Sequence, residues 1–200
     1  MPFQEVLREA EQFYSQIDQE VIFRLSPIAG DEPRRILLNN GYLGFDPCHV
    51  MIKVASAHED FPHVVIVEGL DDGWLAGFTA ASKMTLKQSE AHRKIVSNIR
   101  GRVACATVYQ NEQAVGFGMP VMEGQFTGIF DVVVDSSSHR RQGHGREVTQ
   151  ALCSLASQTC AKFAYLQVQA ENDAARALYH GLKFSESYSY SYFSRLKNMT

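Results

Sequence analysis

Arg140-Arg141-Gln142-Gly143-His144-Gly145 is the stretch on which the reading of this chain turns. Upstream lies the β-branched run Val132-Val133-Val134, and downstream an amphipathic segment that starts near Arg146. A strand, a loop with two glycines and two arginines, and a helix start together suit the binding of phosphate. Helix N-termini offer unpaired N–H groups and the positive end of a dipole. Glycine lets backbone approach an anion closely and adopt positive φ, and arginine adds fixed positive charge.

The rest of the composition narrows the ligand. An apolar share of 45% and a charged share of 20% are ordinary for a globular protein, and 200 residues can bury a sizeable core. The formal net charge of −3 argues against a broad nucleic-acid-binding face. His139, Arg140, Arg141, His144 and Arg146 nevertheless crowd one loop, which favours a small anion over a polyanion. Cys48, Cys105, Cys153 and Cys160 have neither paired nor metal-ligand spacing, so they read as reduced thiols and no metal is expected. The N-terminus is acidic and amphipathic rather than signal-like. No apolar run approaches the roughly 18 residues that a membrane helix needs. A cytoplasmic protein without a membrane partner is the expectation.

Working outward from the loop, hydrophobic periodicity predicts an opening helix over residues 3–17 and a helix over 32–40. Short strands are predicted at 21–25, 50–54 and 64–67, and helices around Trp74–Ala81 and His92–Ile99. Residues 102–109, 114–122 and 126–135 are β-prone runs joined by short polar turns, as in an antiparallel meander. After the loop come a helix over 145–160, a strand over 163–168, a helix over 173–181, and a tail strand. In that tail, Tyr188, Tyr190 and Tyr192 alternate with serines.

Three phosphate loops compete. A P-loop requires Lys-Ser or Lys-Thr after its last glycine, and this chain has neither there. A dinucleotide fingerprint needs a third small residue where Val148 stands, and a parallel setting that the meander does not offer. The third is the loop Arg/Gln-x-x-Gly-x-Gly/Ala of the GCN5-related N-acetyltransferases, which Arg140-x-x-Gly143-x-Gly145 resembles. A second motif downstream is also similar to that family: Leu166-x-Val168, Asn172, Ala175, Leu178-Tyr179, then Phe184. The resemblance is close over residues 102–196. It departs at Lys183, where the family has glycine; the turn there is expected to use another geometry, with Gly181 in partial compensation.

The resemblance implies an α/β fold with a mixed, splayed sheet flanked by helices. It implies an acetyl-CoA-dependent acetyltransferase domain over 83–200, preceded by an α/β lobe over 1–82 that resembles the degenerate half of tandem members. It further implies that the backbone of Arg140, Arg141, Gln142, Gly143, His144, Gly145 and Arg146 cradles the pyrophosphate of coenzyme A. Amides of Val132, Val133 and Val134 would face the acetyl and pantetheine groups. Asn172 looks like the family residue that contacts the cofactor arm, and its competing role is to cap helix 173–181. A homodimer is common in the family.

Acetyl transfer to an amine needs a polarised thioester, a neutral amine and a protonated leaving thiolate. Tyr179 is the candidate general acid, since a phenol of pKa about 10 stays protonated at neutral pH. Asp131 is the candidate base; binding a cationic substrate or pairing with arginine are its other roles. Period-two alternation sets it on the face opposite Phe130 and Val132. Trp74, Phe78 and the tail tyrosines are either core or acceptor-pocket residues. The expected reaction is acetylation of a primary amine, of a small molecule or alternatively of a protein, and a non-catalytic acyl-CoA-binding module is the rival from another class.

Overall fold

A computed structural model describes residues 2–55, 59–135, 142–159 and 161–195. The elements run α1 (Phe3–Gln16), β1 (Phe23–Leu25), α2 (Asp31–Asn39), β2 (Leu43–Val54), β3 (Val64–Glu68), α3 (Asp72–Ala81), α4 (Leu86–Ser97), β4 (Arg102–Gln110), β5 (Gln113–Glu123), β6 (Phe126–Val134), α5 (His144–Gln158), β7 (Phe163–Gln169), α6 (Asp173–Gly181) and β8 (Ser185–Ser194). The order matches the periodicity reading except at β2. That strand is 12 residues long and begins well ahead of Val50, passing through Asp46 at φ +44° and Pro47. A turn-forming residue followed by proline reads as a break in sequence, and the strand runs through it.

The chain forms two compact units: residues 1–51, 168–176 and 186–200 in the first, and 52–167 with 177–185 in the second. In the first, β1 pairs antiparallel with β8, and Leu7, Leu37, Tyr42 and Phe193 make the core between α1, α2 and the strands.

The second unit holds the strands in the order β7-β6-β5-β4-β3. β7 runs parallel to β6, and the remaining pairs are antiparallel, so the sheet is mixed. The alternation Gly116-Phe117-Gly118-Met119 on β5 explains its two faces. Phe117 and Met119 join Trp74, Leu75 and Phe78 of α3 and Val96 of α4 in one cluster. On the other face, a Cβ on Gly118 would stand 2.9 Å from Leu152 and 3.0 Å from Val148 of α5. Helices therefore cover both faces, and α5 lies close because β5 presents glycines to it. Both α3 and α4 start on side-chain caps: Asp71 accepts from Trp74 N, and Thr85 with Gln88 forms a capping box.

Candidate active site

The parallel ladder between β6 and β7 covers only Phe126↔Phe163 to Ile129↔Leu166. Past Ile129, β6 continues to Val134 beside β5 alone, among the described residues. The cause lies in its register. Between Met119↔Phe130 and Phe117↔Val133, two residues of β6, Asp131 and Val132, stand against the single Gly118. This is a β-bulge, and Asp131 sits in it at φ +53°. A bulge bends its strand and increases the local twist, which turns β6 away from β7. Strict alternation, which would oppose Asp131 to Phe130 and Val132, stops at this point. The backbone of Val132, Val133 and Val134 thus lies along the opened edge.

The glycine loop delivers the chain to α5. Gly143 is its N-cap at φ +92°, a left-handed position that suits glycine. The first helical bond is Glu147 N to Gly143 O at 3.0 Å, so His144, Gly145 and Arg146 form the first turn. Gly145 lies between Val134 and Leu178, to whose side chains a Cβ would be 3.6 and 3.5 Å distant. The side chain of His144 is buried, its Nε2 3.3 Å from Gln110 Oε1. Gln110 Nε2 in turn donates to Gln142 Oε1 at 3.0 Å. Arg146 extends to α6, where its Nη2 would be 2.8 Å from a Cβ on Gly181. His139, Arg140 and Arg141 lie outside the described residues.

Tyr179 lies on α6 and is buried, and burial pushes its phenol above the ordinary value of 10.0. Its ring meets Phe184 edge-on at a centroid separation of 6.0 Å. The link is a Schellman turn: Phe184 N donates to Tyr179 O and Lys183 N to His180 O, both at 3.0 Å. Lys183 takes the left-handed position itself, at φ +68°. The turn therefore keeps the geometry that glycine favours, contrary to the expectation from sequence, and Gly181 does not substitute for it. Asn172, in the first unit, caps α6 by accepting from Ala175 N at 3.1 Å.

Asp131 has a partner that the sequence did not reveal. His92 Nε2 of α4 is 2.8 Å from Asp131 Oδ2. Burial raises the carboxyl's pKa, while the hydrogen bond and charge of His92 lower it, and the net shift is upward from 3.8. The His92 ring stacks on Phe78 at 4.9 Å, and its Nδ1 is buried without a partner among the described residues. In sequence, His92 falls on the same helical face as Ile95, Val96 and Ile99. Nothing in its spacing signals a partner 39 residues away. Trp74 is core: it stacks on Phe78 and donates its Nε1 to Ala106 O.

An open strand edge, a helix N-terminus, a buried phenol and a half-buried carboxylate all belong to this unit. A sheet that parts at a bulge before a glycine-capped helix is the fold of the GCN5-related N-acetyltransferases. A family model described as "Probable histone acetyltransferase Rv0428c C-terminal" matches residues 4–193, and the chain belongs to that family. It is similar to "Uncharacterized N-acetyltransferase YobR" of Bacillus subtilis, 24% identical over 191 residues, covering 92% of this chain and 77% of that protein. Among solved structures, a GCN5-related N-acetyltransferase from Kribbella flavida superposes with a TM-score of 0.73 at 15% identity, over 96% of this chain and 74% of that one. A tandem GNAT protein from the clavulanic acid biosynthesis pathway gives 0.68 at 12% identity, over 95% of this chain and 68% of that one. The protein is an acyltransferase of this class. Among the described residues, no cluster of three or more His, Cys, Asp or Glu is arranged to hold a metal, and no helix is long and apolar enough to cross a membrane.

Proposed function

We propose that the protein transfers acetyl from acetyl-CoA to a primary amine of a small molecule by direct attack in a ternary complex. The observation that carries this reading is the parting of β6 from β7 after Ile129↔Leu166, ahead of the Gly143 cap of α5. It leaves strand amides for the acyl group and a helix N-terminus for phosphate on one continuous path. The resemblance-implied role of Asn172 at the cofactor arm is part of the same proposal, as is a cytoplasmic setting, which the free buried thiols of Cys48, Cys105 and Cys153 support.

In this mechanism the amine nitrogen attacks the thioester carbonyl, a C–N bond forms and the C–S bond breaks. Asp131 takes the proton that the nitrogen loses, and Tyr179 gives its proton to the departing thiolate. Solvent then returns both groups to their starting states. The upward shifts at Asp131 and Tyr179 suit these roles, since the carboxylate gains basicity and the phenol stays protonated.

A second reading, acetylation of a lysine in a protein, has support in the family description, which names histone acetyltransferase. A non-catalytic acyl-CoA-binding module would have no use for a buried acid and base. The test joins a melting curve to a thiol-release assay. Acetyl-CoA at a hundred times its Kd should raise Tm by about 5–10 °C, and a primary amine should release free thiol. No shift with acetyl-CoA removes the proposal.

A further inference from the structure

A cavity of about 330 Å³ lies in the second unit against α4, β5 and β6. Ile95 and Ile99 of α4, Met119 and Val121 of β5, Phe130 of β6 and Tyr165 of β7 line it. Its polar lining comes from Asp131, His92 and Glu123. Asp131 and His92 are the paired groups at the bulge, with side chains 22% and 14% exposed. Glu123 ends β5 and is exposed, so it stays solvated. The cavity thus has a half-buried acid–imidazole pair at the bulge, an exposed carboxylate at the end of β5, the Tyr165 ring, and otherwise hydrocarbon walls.

We infer that the acceptor carries its amine on an apolar alkyl or aryl body, which fills this cavity and brings the nitrogen to Asp131. This rests on the acetyl-transfer reading above and names the substrate class for it. Three observations carry it. The volume sits at the lower end of small-ligand pockets, enough for one ring and a short chain. Between Asp131 and the exposed Glu123 the walls are Ile95, Ile99, Met119, Val121 and Phe130, and burying a second ammonium or hydroxyl against them is costly. Asp131 is the carboxylate placed among those walls, and it is the group already argued to take the amine proton. A polyamine or a sugar amine would have to desolvate its other polar groups against Ile99, Met119 and Phe130. A hexyl or phenethyl group would gain by the same burial.

The experiment measures thiol release from acetyl-CoA with n-butylamine, n-hexylamine, phenethylamine, spermidine and a lysine-containing histone-tail peptide. The proposal expects kcat/KM to rise about 4-fold per methylene from butylamine to hexylamine, the equivalent of about 0.8 kcal/mol per buried CH₂. Phenethylamine should exceed spermidine by at least about 10-fold. Ile95, 66% exposed on the cavity rim, tolerates substitution without disturbing the core. Ile95→Lys sets a cation near the amine's place, so it should cut kcat/KM for phenethylamine about 10-fold or more while leaving the acetyl-CoA melting shift intact.

A preference for spermidine or the peptide, turnover indifferent to Ile95→Lys, or an acetyl-CoA melting shift with no amine consumed overturns the apolar acceptor and leaves donor binding standing. Absence of the melting shift together with absence of thiol release brings down the underlying acetyl-transfer reading.

Discussion

The ring of Phe184 meets that of Tyr179 edge-on, 6.0 Å between centroids and 64° between planes. The two residues sit five apart across a helix-ending turn whose hydrogen bonds join the same pair, Phe184 N to Tyr179 O. The phenol is thus held by a packed ring and a closed turn, with its hydroxyl left for other work. Tyr179→Phe preserves that packing and removes only the proton donor. We expect kcat to fall about 100-fold or more, with Tm and the acetyl-CoA melting shift unchanged. Turnover equal to the unmodified enzyme would deny Tyr179 the acid role.

Lys183 maintains that turn at a conformational cost. At φ +68° its Cβ is crowded as in any left-handed L-residue, by roughly 1–2 kcal/mol. Glycine relieves the crowding but gains about 0.5–1 kcal/mol of freedom in the unfolded chain. Lys183→Gly should therefore stabilise the protein by about 0.5–1 kcal/mol. That is read as a higher urea midpoint with an unchanged slope. A lower midpoint would show that the lysine side chain contributes more than the strain costs.

As the proposed base, Asp131 should set the acidic side of the rate profile. Burial raises its pKa and His92 opposes the rise, so the limb of kcat/KM should lie above the ordinary carboxylate range, with activity lost as pH falls through it. His92→Gln withdraws the compensating charge, and the limb should move to higher pH. The stability consequence has the reverse sense. A carboxyl with a folded pKa above its unfolded value binds its proton more tightly in the native state. Stability is then greatest below about pH 4 for this group and declines as pH rises through the folded pKa. The other groups near it, His92 on α4, the Cys105 thiol on β4 and Tyr165 on β7, remain in every comparison. Asp131→Asn should flatten this component of the pH–stability curve and lower kcat/KM about 100-fold or more at neutral pH. An acid limb identical in Asp131→Asn assigns the base to another group.

The fold was legible because its signals are local. The Gly143–Gly145 loop, the Leu178-Tyr179 motif and the 3.6- and 2-residue periods each lie within one or two adjacent elements. β2 was read short because Asp46 and Pro47 look like a terminator, while a strand needs only that the ladder bonds it makes avoid the proline nitrogen. The His92–Asp131 pair was invisible for a different reason. It joins a helix to a bulge across the core, and a histidine within an apolar stripe looks like filling. The bulge itself leaves no mark in Phe130-Asp131-Val132, where regular alternation was the natural expectation. At Lys183 the sequence misled in the other direction: the turn's backbone bonds and the Tyr179–Phe184 contact hold the geometry without glycine.

Gly118 connects the bulge to α5, the helix that Gly143 caps. It stands opposite Asp131 and Val132 and turns its vacant Cβ position toward Leu152 and Val148, at 2.9 and 3.0 Å. Leu152 and Val148 are fully buried, and Val148 has a stiff β-branched side chain, so neither has room to withdraw. Gly118→Ala should push α5 from the sheet and destabilise the protein by about 1–3 kcal/mol. Because α5 carries the Gly143 cap, the acetyl-CoA melting shift should shrink as well. The two effects separate in a cycle with Val148→Ala. If contact with Val148 is the cause, the double variant should be more stable than the sum of the single changes predicts, by a coupling of about 0.5–3 kcal/mol. It should also recover part of the acetyl-CoA shift. Additive losses would place the damage in the strand itself, at the bulge that carries Asp131, rather than in the seating of the helix.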